Sequence, residues 1–166
     1  MAGKFSTTIE QIEPMKTVKA GEVLEAVKKG EVVDAVEDGG EVLRVESGGV
    51  IQRVADGGEV FRVEAGGVVW GVESGGRVVR VSAGGVIKRV AAGGRVGMVA
   101  AGGVVWGVET GGVVWGVADG GVIKRVAAGG VVECVQSEGI VECVEDRGVV
   151  ECVADVGKIL NDNRTN

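Results

Sequence analysis

Three cysteines stand nine residues apart: Cys134, Cys143 and Cys152, in the contexts VVECVQS, IVECVED and VVECVAD. Thiols at a fixed spacing offer two chemistries, a disulfide or a metal site. A tetrahedral metal site needs four ligands, and no fourth ligand accompanies these three. Disulfides need Cα atoms roughly 4.4 to 6.8 Å apart, which neighbouring strands at about 4.8 Å satisfy. If one chain coils with two nonapeptides per turn, Cys134 stacks on Cys152 and Cys143 falls on the opposite face. If three chains intertwine, cysteines of different chains become neighbours, and bridges would lock the chains together near the C-terminal end. An odd number of cysteines per chain favours pairing between chains. Local duplication of one unit, leaving reduced thiols, accounts for the same column.

Other side chains offer less. The chain has no histidine, hence no imidazole base and no Ser-His or Cys-His pair. Glu133, Glu142 and Glu151 form a column that reads as a solvated ladder, and no catalytic residue is assigned. Trp70, Trp106 and Trp115 are each followed by glycine, at Gly71, Gly107 and Gly116. Removing the side chain after a tryptophan leaves room for the indole to lie flat on the surface, a packing role. An exposed indole row also stacks on sugars or proteins, so these three are the candidate surface contact.

All of these residues sit in one repeating frame. From Gly39 to Asp155 the nonapeptide Gly-Gly-x-Val-x-x-Val-x-x runs through thirteen units without insertion or deletion, the last two opening with Glu138 and Arg147 in place of the first glycine. A fixed short period means a fold that grows along one axis by stacking equal units. Position 7 of the unit is valine throughout: Val45, Val54, Val63, Val72, Val81, Val90, Val99, Val108, Val117, Val126, Val135, Val144 and Val153. Position 4 is valine or isoleucine. These two columns are the predicted core. Side chains on a straight strand alternate faces, so residues three apart cannot both point inward unless the backbone bends near positions 5 and 6. The glycine pair marks the corner, through positive φ or close backbone approach. Valine favours strands and paired glycines break helices, so the repeat is β.

A longer period overlies the nonapeptide. Near-identical units recur every 36 residues, and position 3 alternates early on between charge (Glu41, Glu59, Arg77, Arg95) and valine (Val50, Val68, Val86, Val104). Two units per coil would give this, as would duplication of a four-unit block. Neither period fits three nonapeptides per coil of one chain.

Composition sets the outer limits. Net charge is −6 with both signs interspersed, which argues against a nucleic-acid footprint. No apolar run is long enough for a membrane helix, and residues 1–14 lack the pattern of a secretory signal. The unit matches the calcium-binding nonapeptide of secreted repeat toxins in period and paired glycines. Position 6, where that family needs aspartate, is Arg, Gly, Met or Cys here, so no calcium site is expected. No cofactor is implied, because neither a P-loop nor a dinucleotide fingerprint occurs.

Three segments follow. Residues 1–38 form an N-terminal attachment segment, with residues 21–38 either a degenerate rung or a short helix. Residues 39–155 form the repeat, and residues 156–166 a cap and polar tail. The expected fold is all-β, a repetitive β-helix. An intertwined homotrimer would place three valine pairs around one axis and leave no lateral sheet edge. The alternative is a monomeric two-sided β-solenoid of 18 residues per coil.

The glycine-and-valine array over residues 39–155 resembles, in style, the trimeric β-helical needles of contractile-tailed phages and type VI secretion spikes, and the valine-rich repeats of phage tail fibres. The resemblance implies a virion structural part, a short homotrimeric fibre or spike. It would be made in a host cytoplasm and docked to other virion proteins through residues 1–38. Two other functions fit the residues: a solenoid binding module using the tryptophan surface, and a surface filament subunit stacked end to end.

Overall fold

The structure, a computed structural model, describes residues 15–164. It is a single-chain, parallel, two-sheet β-solenoid. One sheet takes the odd-numbered strands: β1 (Lys16–Val18), β3 (Val32–Val36), β5 (Val50–Val54), β7 (Val68–Val72), β9 (Val86–Val90), β11 (Val104–Val108), β13 (Val122–Val126), β15 (Ile140–Val144) and β17 (Lys158–Asp162). The other takes β2 (Val23–Leu24), β4 (Glu41–Val45), β6 (Glu59–Val63), β8 (Arg77–Val81), β10 (Arg95–Val99), β12 (Val113–Val117), β14 (Val131–Val135) and β16 (Val149–Val153). Each nonapeptide is one strand plus one corner, and residue n pairs with residue n + 18 of the same chain, as in Val96↔Val114 and Val99↔Val117. About eight coils result, rising about 40 Å at one strand spacing per coil.

The repeat length thus resolves in favour of the 18-residue coil. An intertwined core with one nonapeptide from each of three chains is not what shields these valines: the chain encloses them alone. Val42 through Val144 in the two core columns have no exposed surface, and the described residues include no buried polar or charged side chain. One predicted core residue departs from its column. Val153 is 40% exposed, because β16 ends its sheet and no strand lies beyond it.

The strands reconcile the three-residue spacing as geometry requires. In β4 the burial runs half-buried, buried, exposed, exposed, buried, so positions 4 and 7 face in while 5 and 6 face out. Between neighbours, positions 3, 4, 6 and 7 pair directly and position 5 drops out of the ladder, as Gly97 and Trp115 do between β10 and β12. Both strands kink at the same residue, so the bend stacks without loss of register.

The two glycines do different work. Gly48 at position 1 has φ 77°, the left-handed third residue of a four-residue turn closed by Gly49 N–H donating to the Glu46 carbonyl at 2.9 Å. Gly49 at position 2 has no room: a Cβ there would stand 2.3 Å from the Val27 carbonyl oxygen of the preceding coil. Successive turns are also tied to each other, Gly48 N–H donating to the Gly66 carbonyl at 2.9 Å.

The solenoid extends beyond the strict repeat at both ends. Residues 21–38 are rungs, not a helix: β2 and β3 lie there, and Val27 and Val36 fill the core column with no exposure. Residues 156–162 contribute β17, and Ile159 packs against the end of the core. Of the expected attachment segment, residues 1–14 lie outside the described residues.

Candidate functional site

The interior is filled by two repeating apolar columns, so any chemistry lies on the outer faces, where positions 3, 5 and 6 of each strand stand in ladders. The 18-residue coil assigns alternate units to opposite faces. It therefore explains the alternation at position 3, since the odd sheet carries the Val50, Val68, Val86, Val104 ladder and the even sheet carries Glu41, Glu59, Arg77 and Arg95.

On the odd face, position 5 reads Trp70, Lys88, Trp106, Lys124 on successive rungs β7, β9, β11 and β13. The Lys88 ammonium lies 4.5 Å from the Trp70 ring centroid and the Lys124 ammonium 5.3 Å from that of Trp106, each a cation–π contact. Both indoles remain about half exposed. Trp115 is not part of this row. It stands on β12 in the even face, with the Arg77 guanidinium 5.5 Å from its centroid. The predicted three-tryptophan surface is thus a pair on one face and a single residue on the other, because Trp115 lies an odd number of units from its partners. The glycines after Trp70 and Trp106 are not crowded by other coils, a Cβ on Gly71 meeting only the Gln52 carbonyl oxygen at 3.7 Å. Gly116 differs: a Cβ there would stand 3.0 Å from Met98 Cε.

The even face carries a feature that the sequence reading passed over. Arg44, Arg62 and Arg80 stack in register on β4, β6 and β8, beside the apolar column Leu43, Phe61, Val79, and together they line a shallow groove. The signal was legible once units were sorted by twos, since these arginines are 18 residues apart. Arg44 pairs with Glu46 at 3.2 Å. Elsewhere arginine reaches a glutamate 20 residues on: Arg89 to Glu109 at 3.2 Å and Arg125 to Glu145 at 2.6 Å. The hydrogen bond from Arg125 holds the Glu145 carboxyl below the usual carboxylate range. The corresponding positions for Arg62 and Arg80 are Ser82 and Ala100, and neither arginine has an ion-pair partner among the described residues.

The cysteines are placed as the single-chain coil requires. Cys134 and Cys152 are direct partners on β14 and β16; a hydrogen bond between the thiols and burial push that of Cys134 up. Cys143 lies on the opposite face, with the Asn163 side-chain amide 3.7 Å from its sulfur. All three are free thiols. The two that meet do so within one chain, so the column does not need a second chain to bring sulfurs together. Among the described residues no group of three or more Cys, Asp or Glu side chains converges to hold a metal.

No family model matches the chain, and no curated protein matches it. Among solved structures, a TibC-catalysed hyper-glycosylated fragment of TibA is similar over 92% of each chain, at 18% identity and a TM-score of 0.41.

Proposed function

We propose that the chain is a non-enzymatic structural rod, a short fibre or spike element of a phage or phage-like particle, docked through its N-terminal residues. The observation that carries this reading is the uniformity of the interior. From Val36 to Val144 the same two columns of valine and isoleucine repeat with no exposure, which gives a section of constant width and stiffness along the axis. Antibody raised against the solenoid should label particles purified from the source, at one end of a thin projection. Recovery of the protein only from particle-free fractions would overturn the reading.

A second reading rests on the odd face. Trp70 and Trp106 stand two rungs apart, about 10 Å, each with a lysine over its ring. Flat indoles at a regular spacing suit the faces of sugar rings in an extended acidic glycan. In this reading Trp70→Ala with Trp106→Ala abolishes glycan binding while Trp115→Ala, on the other face, leaves it intact. Equal loss in both would contradict it.

A further inference from the structure

We infer that the even face is a self-complementary interface through which two copies of this chain pack antiparallel about a two-fold axis between β10 and β12. At positions 5 and 6 the face reads, rung by rung, positive, positive, neutral, neutral, negative, negative, while position 3 adds Glu59, Arg77 and the exposed Arg95 along one margin. Arg62 and Arg80 stand on β6 and β8, Gly97 and Met98 on β10, Trp115 and Gly116 on β12, and Glu133 and Glu151 on β14 and β16. Reversing this order and facing it with itself sets β6 against β16, β8 against β14, and β10 against β12. Each arginine then meets a glutamate of the other copy in the neighbouring column, and both pairs form twice, as an isologous contact requires.

The ladders are otherwise hard to account for. Like charges directly opposite on paired strands destabilise a sheet, yet Arg62 and Arg80 are direct partners. None of Arg62, Arg80, Glu133 and Glu151 has an ion-pair partner among the described residues, and all four are exposed. A second copy supplies each with its counter-charge at the same rung spacing.

The centre of the face fits the same operation. Trp115 is 41% exposed, and Gly97 on the adjoining rung has no side chain, so the two-fold axis sets each indole over the partner's Gly97. The residues around it, Val79, Met98 and Gly116, line a shallow, mainly apolar groove that also takes in Arg77. Arg77 is already committed to Glu59 at 3.4 Å and to the Trp115 ring. The parallel two-fold arrangement is disfavoured, because it faces arginine with arginine and glutamate with glutamate.

Six facing rungs of five residues cover about 500 Å² of sheet per partner, below the roughly 800 Å² per partner of a standard stable interface. The association is therefore weak, and its electrostatic part is sensitive to salt.

The test is sedimentation velocity over a concentration series with reductant present, which removes any disulfide-linked species. The parent chain is expected to form a dimer that weakens about tenfold between low and high salt. The pair Arg62→Glu with Arg80→Glu, and separately Glu133→Arg with Glu151→Arg, should each remain monomeric with unchanged circular dichroism. Mixed in equal amounts, the two variants should form a heterodimer, because each contact between the four substituted positions then joins opposite charges. A parent chain that stays monomeric or forms trimers, variants that dimerise like the parent, or a mixture that fails to associate would each overturn the inference.

Discussion

At the scale of single residues the two kinds of glycine separate cleanly. Gly49 abuts the Val27 carbonyl of the coil before it, with 2.3 Å left for a Cβ, and the obstacle is backbone that cannot swing aside. Gly49→Ala should destabilise the chain by about 3 kcal/mol, the upper range for overpacking. Gly71 has no such neighbour, so Gly71→Ala should be neutral or stabilising by about 0.5 kcal/mol through the unfolded state. Thermal melts of the two variants read this contrast directly, and equal losses would contradict it. Glu145 gives a pH prediction of definite sign. Its folded carboxyl lies below the ordinary range because Arg125 donates a hydrogen bond to it. The contact is therefore intact above the ordinary carboxylate pKa and is lost as pH falls through the lower folded value. In Arg125→Gln, an NMR titration of Glu145 should return to the ordinary range of about 4.3.

At the scale of the strand and its corner, the unit tolerates change only where the turn allows it. Glu138 and Arg147 occupy the left-handed turn position with φ 58° and 62°, where the other corners of the strict array carry glycine. They still keep the bond between turns, accepting from Gly120 and Gly129 at 3.2 and 2.9 Å. Left-handed backbone costs a non-glycine residue about 1 kcal/mol or more, so Glu138→Gly and Arg147→Gly should each raise stability by up to about 1 kcal/mol in denaturant unfolding. A loss of stability in both would mean that their side chains contribute more than the strain they impose.

This is also the scale at which the sequence was most legible. Position 7 valines and the glycine corner announce a core column and a turn, and the three-residue spacing forces the kink that β4 displays. The number of units per coil was harder to read, because nothing within one nonapeptide says whether its neighbour lies in the same chain. Only differences between units carry that information. The position 3 alternation did so, and so did the arginines at 44, 62 and 80, but the latter emerge only after units are sorted onto two faces. The tryptophans misled for the same reason. Trp106 and Trp115 are adjacent in the repeat yet lie on opposite faces, whereas Trp70 and Trp106, four units apart, share one. At the ends the strict pattern decays before the fold does. Val27, Val36 and Ile159 continue the apolar column under degenerate corners, so the segment boundaries drawn at residues 38 and 156 fall inside the solenoid.

At the scale of the whole molecule, the chain is a rod whose interior is the same at every rung and whose surface is not. Each coil contributes two core residues from each face, and every core residue contacts coils near it in sequence. Stability is then a sum of similar local increments, and function is confined to the ladders. The two faces divide the surface chemistry: a tryptophan pair with lysines on the odd sheet, and on the even sheet positions 5 and 6 that pass from arginine on β4, β6 and β8 to glutamate on β14 and β16. The central claim is that a single chain closes this core. Methyl NOEs in a sample made by co-refolding isotope-labelled and unlabelled chains test it most directly, since isotope filtering separates contacts within a chain from contacts between chains. The account predicts strong Val54–Val72 and Val99–Val117 contacts within the labelled chain. Finding those contacts only between labelled and unlabelled chains would contradict it and restore the intertwined assembly.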